Sequence, residues 1–419
     1  MTRHNYQYSL VCIGLASLVT TQPAFSYDLT RATESALSSH PLIQSKIADS
    51  DAADKNLKGA AWQMAPTVTY SNGKNAYGNV ATTTRIQLPL FSGGQTVGSI
   101  RESSFRRDGS YADILAAEQT VLSKVVDSYM DLNKSISKVE IANSNLSEHE
   151  RLYQMIIRRH KAGVSSLNDV TTAEMRLQQA LAEVEQYRSL YLTSRSLLEE
   201  LTSETIPEQE KIIPPKTKDL GIKNLSDAIS LALEFSPEIT SQRAKASAAD
   251  AHITVQRSAL LPQVSLRHDI YAGQVFGKDR VTYVNIDYQL NSGISSVYAL
   301  GSSASQYQSA VNMVDATQKD VLNTLKRDWN QYQFGAQQVN LIGKQFKASK
   351  DVMDSFLRQY VVGKKSWIEV LNAQREMAQA EYTLVDAQSN YQQSKLHVAI
   401  TTGILTRSNM SLLTETASK

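Results

Sequence analysis

Hydrophobic positions change period twice in each half of the chain. Leu325, Tyr332, Val339, Phe346, Met353 and Tyr360 recur every seven residues, as do Val125, Leu132, Val139, Leu146, Tyr153 and His160. A further row, Leu115, Leu122, Tyr129 and Ile136, keeps the same spacing. Sustained heptads predict long helices packed in coiled-coil fashion against other helices. Ahead of them the period drops to two. Val284, Ile286, Tyr288 and Leu290 share one face against Asn285, Asp287 and Gln289, and Thr84, Ile86, Leu88 and Leu90 alternate with Arg85 and Gln87. The segments 67–71 and 263–271 alternate less cleanly, with His268 on the apolar face. With turns at 73–79 and 273–279 these make two hairpins. Their strands, roughly 9–11 residues long, suit tilted transmembrane strands, although an ordinary soluble hairpin shows the same short alternation.

Proline and glycine punctuate this pattern. A short amphipathic helix ends before Pro41 and its counterpart before Pro237, and proline favours the first position of the next helix because its missing N–H is not needed there. Those next helices run to about Ala65 and Leu261, where Pro66 and Pro262 stop them. No proline falls between 90 and 206 or after 262, as uninterrupted helices require. The heptad helices end at Gly163 and Gly363, and another pair runs from Ser166 to about Ser203 and from Ser366 to about Gly403. The 69 residues of 95–163 span about 100 Å at 1.5 Å per residue. The 25 residues of 41–65 and the 38 of 166–203 nearly match that length together, so two shorter helices are expected to stack end to end beside each long one. Such a rod has no compact core of its own and is expected to oligomerise.

The two halves are copies. Leu29 through Pro41 aligns with Leu225 through Pro237 at an offset of 196, and beyond the hairpins the offset is 200, pairing Arg158 with Arg358, Gly163 with Gly363 and Val170 with Val370. The expected organisation is a signal peptide over 1–26, a first repeat over 27–202, a linker over 203–224, a second repeat over 225–403 and a tail over 404–419. The linker holds Pro207, Pro214 and Pro215 among charged residues. The leader reading rests on ten apolar residues, 10–19, followed by a small-x-small cleavage pattern. Cys12 lies too early in the apolar run for a lipid attachment site.

Composition narrows the function. The chain has 43 Lys+Arg against 41 Asp+Glu and a single Cys. This balance lacks the basic excess of a nucleic-acid binder, and one cysteine permits neither a disulfide framework nor a thiolate metal site. Beyond the leader no apolar run is long enough for a membrane helix. The seven His form no ligand-spaced pair, and no Lys-Ser/Thr follows Gly93-Gly94 to make a phosphate loop. No enzyme, cofactor or metal is therefore expected. Glu148-His149 reads as a solvated pair on a charged helix face.

The duplicated helix–hairpin–long-helix plan, the run Leu-Pro-Leu-Phe-Ser-Gly-Gly at 88–94 and the two Gly-x-x-Ser-x-x-(Asp/Glu)-Val tips resemble the TolC family of outer-membrane channel-tunnels over about residues 28–403. The resemblance implies a mainly α protein with a β-barrel portion. Three copies would each give four strands to a 12-stranded outer-membrane barrel, with a periplasmic α-helical tunnel below and an equatorial belt of short helices, linker and tail. It also implies a homotrimer embedded in outer-membrane lipid and coupled through a periplasmic adaptor protein to an inner-membrane ABC transporter or RND pump. The second tip, 363–375, is similar to the LapE/AggA-like branch that serves type I secretion of large adhesins. Multidrug efflux is the nearest alternative, and a periplasmic coiled-coil scaffold without a pore is the alternative of another class.

The same resemblance implies site residues. Asp169, Tyr360 and Lys365 match a latch at the closed periplasmic entrance, with Lys365 standing where the family has Arg and losing the bidentate fork. Asp169 as a plain helix cap and Tyr360 as a core residue compete with that role. Glu369 matches a carboxylate ring; three copies would raise one another's pKa values and favour cations. Gly163, Val164, Ser165, Gly363, Lys364, Ser366 and Trp367 form adaptor-docking tips, with Trp367 either an anchor or a packed residue. Pro66, Pro89, Gly93, Pro262 and Gly293 mark the barrel-to-tunnel junction.

Overall fold

The computed structural model describes residues 27–74, 80–207, 210, 212–215, 217–272, 279–288 and 295–409. Helix α1 (Leu29–Ser39) is followed by α2 (Pro41–Trp62), strands β1 (Thr67–Lys74) and β2 (Val80–Phe91), α3 (Gln95–Lys161) and α4 (Leu167–Thr202). The second half repeats the order with α5 (Leu225–Phe235), α6 (Pro237–Ser258), β3 (Gln263–Ala272), β4 (Arg280–Asp287), α7 (Ser295–Val361) and α8 (Trp367–Thr401). Both long helices contain 67 residues, about 100 Å at 1.5 Å per residue. The expected leader, residues 1–26, lies outside the described residues.

The prolines act at helix starts. Pro41 and Pro237 each occupy the first turn, and the caps ahead of them are His40, whose ring accepts from the N–H of Leu42, and Ser236, whose hydroxyl accepts from that of Ile239. The helices α2 and α6 end earlier than the proline rule suggests, at Trp62 and Ser258, because a tight turn precedes Pro66 and Pro262.

The long helices carry the packing. Helix α3 lies against α2 and α6 along one stretch and against α4 and α8 along the other, and α7 lies against α6 and α8 in turn. The short helices thus stack end to end beside the long ones. The heptad rows are buried or half-buried along most of their length, with two exceptions. Leu115 is exposed and His160 sits on the surface, where each row reaches the end of its seam.

The principal core lies where α1, α5 and the linker cross the long helices. Tyr129 on α3 lies fully buried there. Its hydroxyl is 2.9 Å from the carbonyl oxygen of Tyr27 and 2.7 Å from that of Ile213, which ties the linker to the long helix. Ile206 and Leu220 of the linker and Leu405 after α8 join the same core.

The strands form one antiparallel sheet in the order β1-β2-β3-β4. Register places Val68, Ile86, His268 and Thr282 in one cross-strand row, and Leu88, Leu266 and Val284 in another on the same face. This face is apolar, with Val68, Tyr70, Val284 and Ile286 exposed. The opposite face carries Arg85, Arg267, Asp269 and Asp287. An apolar outside and polar inside is the alternation of a membrane barrel rather than of a soluble hairpin packed on a core.

Candidate functional site

Two features are candidates for function: the hairpin tips and the junction below the sheet. Helix α3 turns into α4, and α7 into α8, through the same loop. Gly163 and Gly363 adopt left-handed conformations, φ 72° and 77°, which glycine accepts without penalty. The N–H of Val164 then reaches the carbonyl of Arg159 at 2.9 Å and that of Lys364 reaches Gln359 at 2.9 Å, closing each helix end in the Schellman manner.

The next helix starts on a capping box. The Ser166 hydroxyl accepts from the N–H of Asp169 at 3.1 Å, and the Asp169 carboxylate accepts from the N–H of Ser166 at 3.0 Å. In the second tip the Glu369 carboxylate accepts from the Ser366 N–H and hydroxyl, both at 2.8 Å, and the Glu369 N–H donates back to the hydroxyl at 3.4 Å. Asp169 and Glu369 are therefore the same residue of the repeated motif. The Ser-x-x-(Asp/Glu) spacing is itself a capping-box signature, which was available in the sequence for both positions.

The two tips touch. Tyr360 and Trp367, 7% and 4% exposed, pack with Leu152, Ile156 and Val370, their rings 5.3 Å apart. The Tyr360 hydroxyl is 3.2 Å from that of Ser165 in the first tip, and the Arg159 guanidinium lies 4.8 Å from the Tyr360 ring centroid. Trp367 is thus a packed residue and not a presented anchor; the outward apolar residues are Val164, Leu167, Val361, Val362 and Ile368.

Within one chain the latch residues each bond elsewhere. Asp169 is taken up by its cap, Tyr360 bonds Ser165, and the Lys365 amine pairs with Glu369 at 2.7 Å while lying 4.3 Å from the Phe356 ring centroid. The Arg that accompanies Tyr360 is Arg159 from the other hairpin, which sequence comparison within the second tip alone does not reveal. Lys365, then the Ser366 backbone and hydroxyl, hold the Glu369 carboxyl down at about 2. Within one chain the charge nearest to Glu369 is thus a cation, and its pull is downward.

The junction forms where sheet meets helices. Pro89 sits beside a register shift between Pro89 and Phe91, a bulge that suits a residue without an N–H. Gly93, at φ 63°, lies so close to the end of α6 that a Cβ would fall 2.9 Å from the Ser258 carbonyl oxygen. Only glycine fits there. Pro66 and Pro262 immediately precede β1 and β3. Gly293 lies outside the described residues.

His149 departs from the expected solvated pair. It is buried, whereas Glu148 pairs outward with Arg151, since adjacent helix positions point about 100° apart. Burial, with Arg176 nearby, lowers the His149 pKa.

The sequence profile of the Outer membrane efflux protein family matches residues 32–204 and 228–403, one stretch per repeat. The chain belongs to this family. The outer membrane efflux protein BepC of Brucella suis is 22% identical over 411 residues, covering 94% of this chain and 90% of the relative. The alkaline protease secretion protein AprF of Pseudomonas aeruginosa is 26% identical over 110 residues, 26% of this chain and 23% of the relative. Among solved structures, the outer-membrane channel OprN superposes with a TM-score of 0.80 at 20% identity, covering 90% of this chain and 89% of that one. The fold is accordingly that of the TolC-like efflux proteins, an α-helical tunnel joined to a β-barrel portion. Like its family, the chain resides in the outer membrane, with its helical tunnel in the periplasm.

Proposed function

We propose that the chain is a passive outer-membrane conduit in which three copies pool their four-stranded sheets into one closed 12-stranded barrel. The observation that carries this reading is the sheet itself. It has an apolar outward face, a charged inward face, and unpaired edges at β1 and β4 that lipid cannot satisfy and barrel closure can. The edges of the helical layer, α2 with α4 on one side and α7 on the other, are equally open for neighbouring copies. Energy would come from an inner-membrane transporter through a periplasmic adaptor engaging the tips at Gly163, Val164, Ser165, Gly363, Lys364 and Ser366. Asp169, Tyr360, Lys365 and Glu369 would form the gate between copies.

The test is extraction in detergent followed by electrophoresis with and without heating. A heat-modifiable trimer is expected; a soluble monomer overturns the conduit and favours a periplasmic scaffold.

For cargo, the local match to AprF supports export of a protein, and the resemblance of the second tip points to type I secretion, driven by an ABC transporter, of a large adhesin involved in surface attachment. Small-molecule efflux with an RND pump is the second reading, favoured by the full-length match to BepC. Deleting the gene and measuring both surface adhesin and drug sensitivity separates them. Loss of resistance with adhesin retained overturns the secretion reading.

A further inference from the structure

The paired tips carry a charge that the caps do not neutralise. Over 156–169 and 356–369 the chain has six cationic side chains, Arg158, Arg159, Lys161, Arg358, Lys364 and Lys365, against two carboxylates, Asp169 and Glu369. Both carboxylates are engaged in capping boxes, and Glu369 also takes up Lys365. Arg158, Lys161, Arg358 and Lys364 are exposed, and among the described residues none of them lies within ion-pair reach of a carboxylate. One turn higher the charges balance, with Asp351 and Asp354 against Lys347 and Lys350, so the excess is confined to the tips.

Cations in the last turn of a helix ordinarily complement its dipole. Here each tip joins a helix C-terminus to a helix N-terminus, so the two half-charges cancel and the excess of four cations remains as net field. The contacts between Tyr360, Ser165 and Arg159 hold both tips together, so the exposed cations of the two tips lie at the same end of the helical layer.

We propose that the tips form an electropositive mouth that captures carboxylate-rich peptide, making the substrate of this conduit a net anionic polypeptide. The proposal rests on the conduit reading for the word substrate, though not for the capture itself. A single-sign surface raises the local concentration of the opposite charge and its capture rate. The Glu369 side chain, paired with Lys365, does not offset this field.

The experiment uses the full chain purified in detergent and two fluorescein-labelled probes, an oligo-glutamate and an oligo-lysine of equal length. Oligo-glutamate is expected to bind, with affinity falling about tenfold or more as salt rises from about 50 to about 500 mM, since the contacts are exposed and screened. Oligo-lysine is expected not to bind. The double variant K161E/R358E, altered only at exposed positions outside the residues given to adaptor docking, should lose oligo-glutamate binding by about tenfold or more. Equal binding of both probes, a preference for oligo-lysine, or wild-type binding by the variant overturns the proposal. Reversal potentials across planar bilayers under a KCl gradient give a second reading: anion preference in the wild type and a shift toward cations in the variant are expected, and cation preference in the wild type overturns it. Oligo-glutamate binding without any current would remove the conduit reading and leave the capture of acidic peptide standing.

Discussion

The Tyr360 hydroxyl lies 3.2 Å from the Ser165 hydroxyl, joining the tips of the two repeats across 195 residues of sequence. Tyr360 therefore has two separable functions, a polar bond and a packed ring. Tyr360→Phe removes only the bond and is expected to destabilise the tips by about 1 kcal/mol. Tyr360→Ala also removes the ring from Trp367 and Arg159 and is expected to destabilise by about 3 kcal/mol or more. Hydrogen exchange at 158–168 and 358–368 reads both. If the bond also restrains the gate, single-channel conductance rises in Tyr360→Phe. Equal conductance with faster exchange assigns the bond to folding alone.

The capping boxes give a pH dependence with a definite sign. The Glu369 pKa is lowered from 4.5 to about 2 by Lys365 and Ser366. A carboxylate depressed in the fold contributes stability that is complete above its unfolded value and is lost as pH falls through the folded one. The start of α8 is therefore expected to stay protected down to about pH 4.5 and to loosen between there and about pH 2. Glu369→Gln should flatten that dependence, and Ser366→Ala should weaken the helix start by about 1 kcal/mol at every pH. Amide exchange of residues 366–370 across this range checks both, and an unchanged acid profile in Glu369→Gln would assign the transition to another group.

Much of this arrangement is legible in the sequence because it depends on local rules. The heptad rows, the prolines at 41 and 237 and the tip glycines each mark an element directly, and the offsets of 196 and 200 reveal the duplication. What the sequence does not show is pairing across elements. Nothing near Tyr360 in the chain announces Ser165 or Arg159, which approach only because two hairpins pack side by side. His149 looks solvated because a charged neighbour hides its own inward direction. The capping role of Glu369 shows only when its Ser-x-x-Glu spacing is read beside the Ser-x-x-Asp of the first tip.

On the polar face of the sheet, Arg85 reaches Asp269 through two hydrogen bonds of 2.8 and 3.0 Å, and the hydroxyls of Tyr283 and Tyr271 donate to the same carboxylate at 3.1 and 3.2 Å. The Asp269 side chain is fully buried while Arg85 is 38% exposed. Removing the arginine strands a buried charge, whereas removing the carboxylate frees a cation that solvent reaches. Arg85→Ala is thus expected to destabilise more than Asp269→Asn, by roughly 1–3 kcal/mol. The temperature at which the purified assembly loses its heat-modifiable form measures the difference. The reverse order would mean that Tyr271 and Tyr283 suffice to hold Asp269.

His397 on α8 joins Asp127 on α3 at 2.6 Å, and Asp127 also accepts from Gln393 at 2.5 Å. Asp328 and Arg327 on α7 complete the charges facing the imidazole. Burial alone would lower the His397 pKa, but the bond to Asp127 outweighs it and the net direction is upward from 6.5. A histidine raised in the fold contributes stability that is complete below its unfolded value and is lost as pH rises through the folded one. The crossing of α3, α7 and α8 is therefore expected to be tightest between about pH 3.8, below which Asp127 begins to lose its charge, and about pH 6.5, and to loosen on the alkaline side. Asp328, which burial pushes upward, works in the same direction, since its charged form is the less favoured one in the fold. His397→Gln keeps a donor toward Asp127 but no titrating proton, so the variant should show a flatter alkaline limb than the wild type. Asp127→Asn should lower the His397 pKa, which imidazole chemical shifts read directly. A His397 that titrates at or below 6.5 in the wild type would show that burial outweighs the Asp127 bond and would reverse the predicted direction.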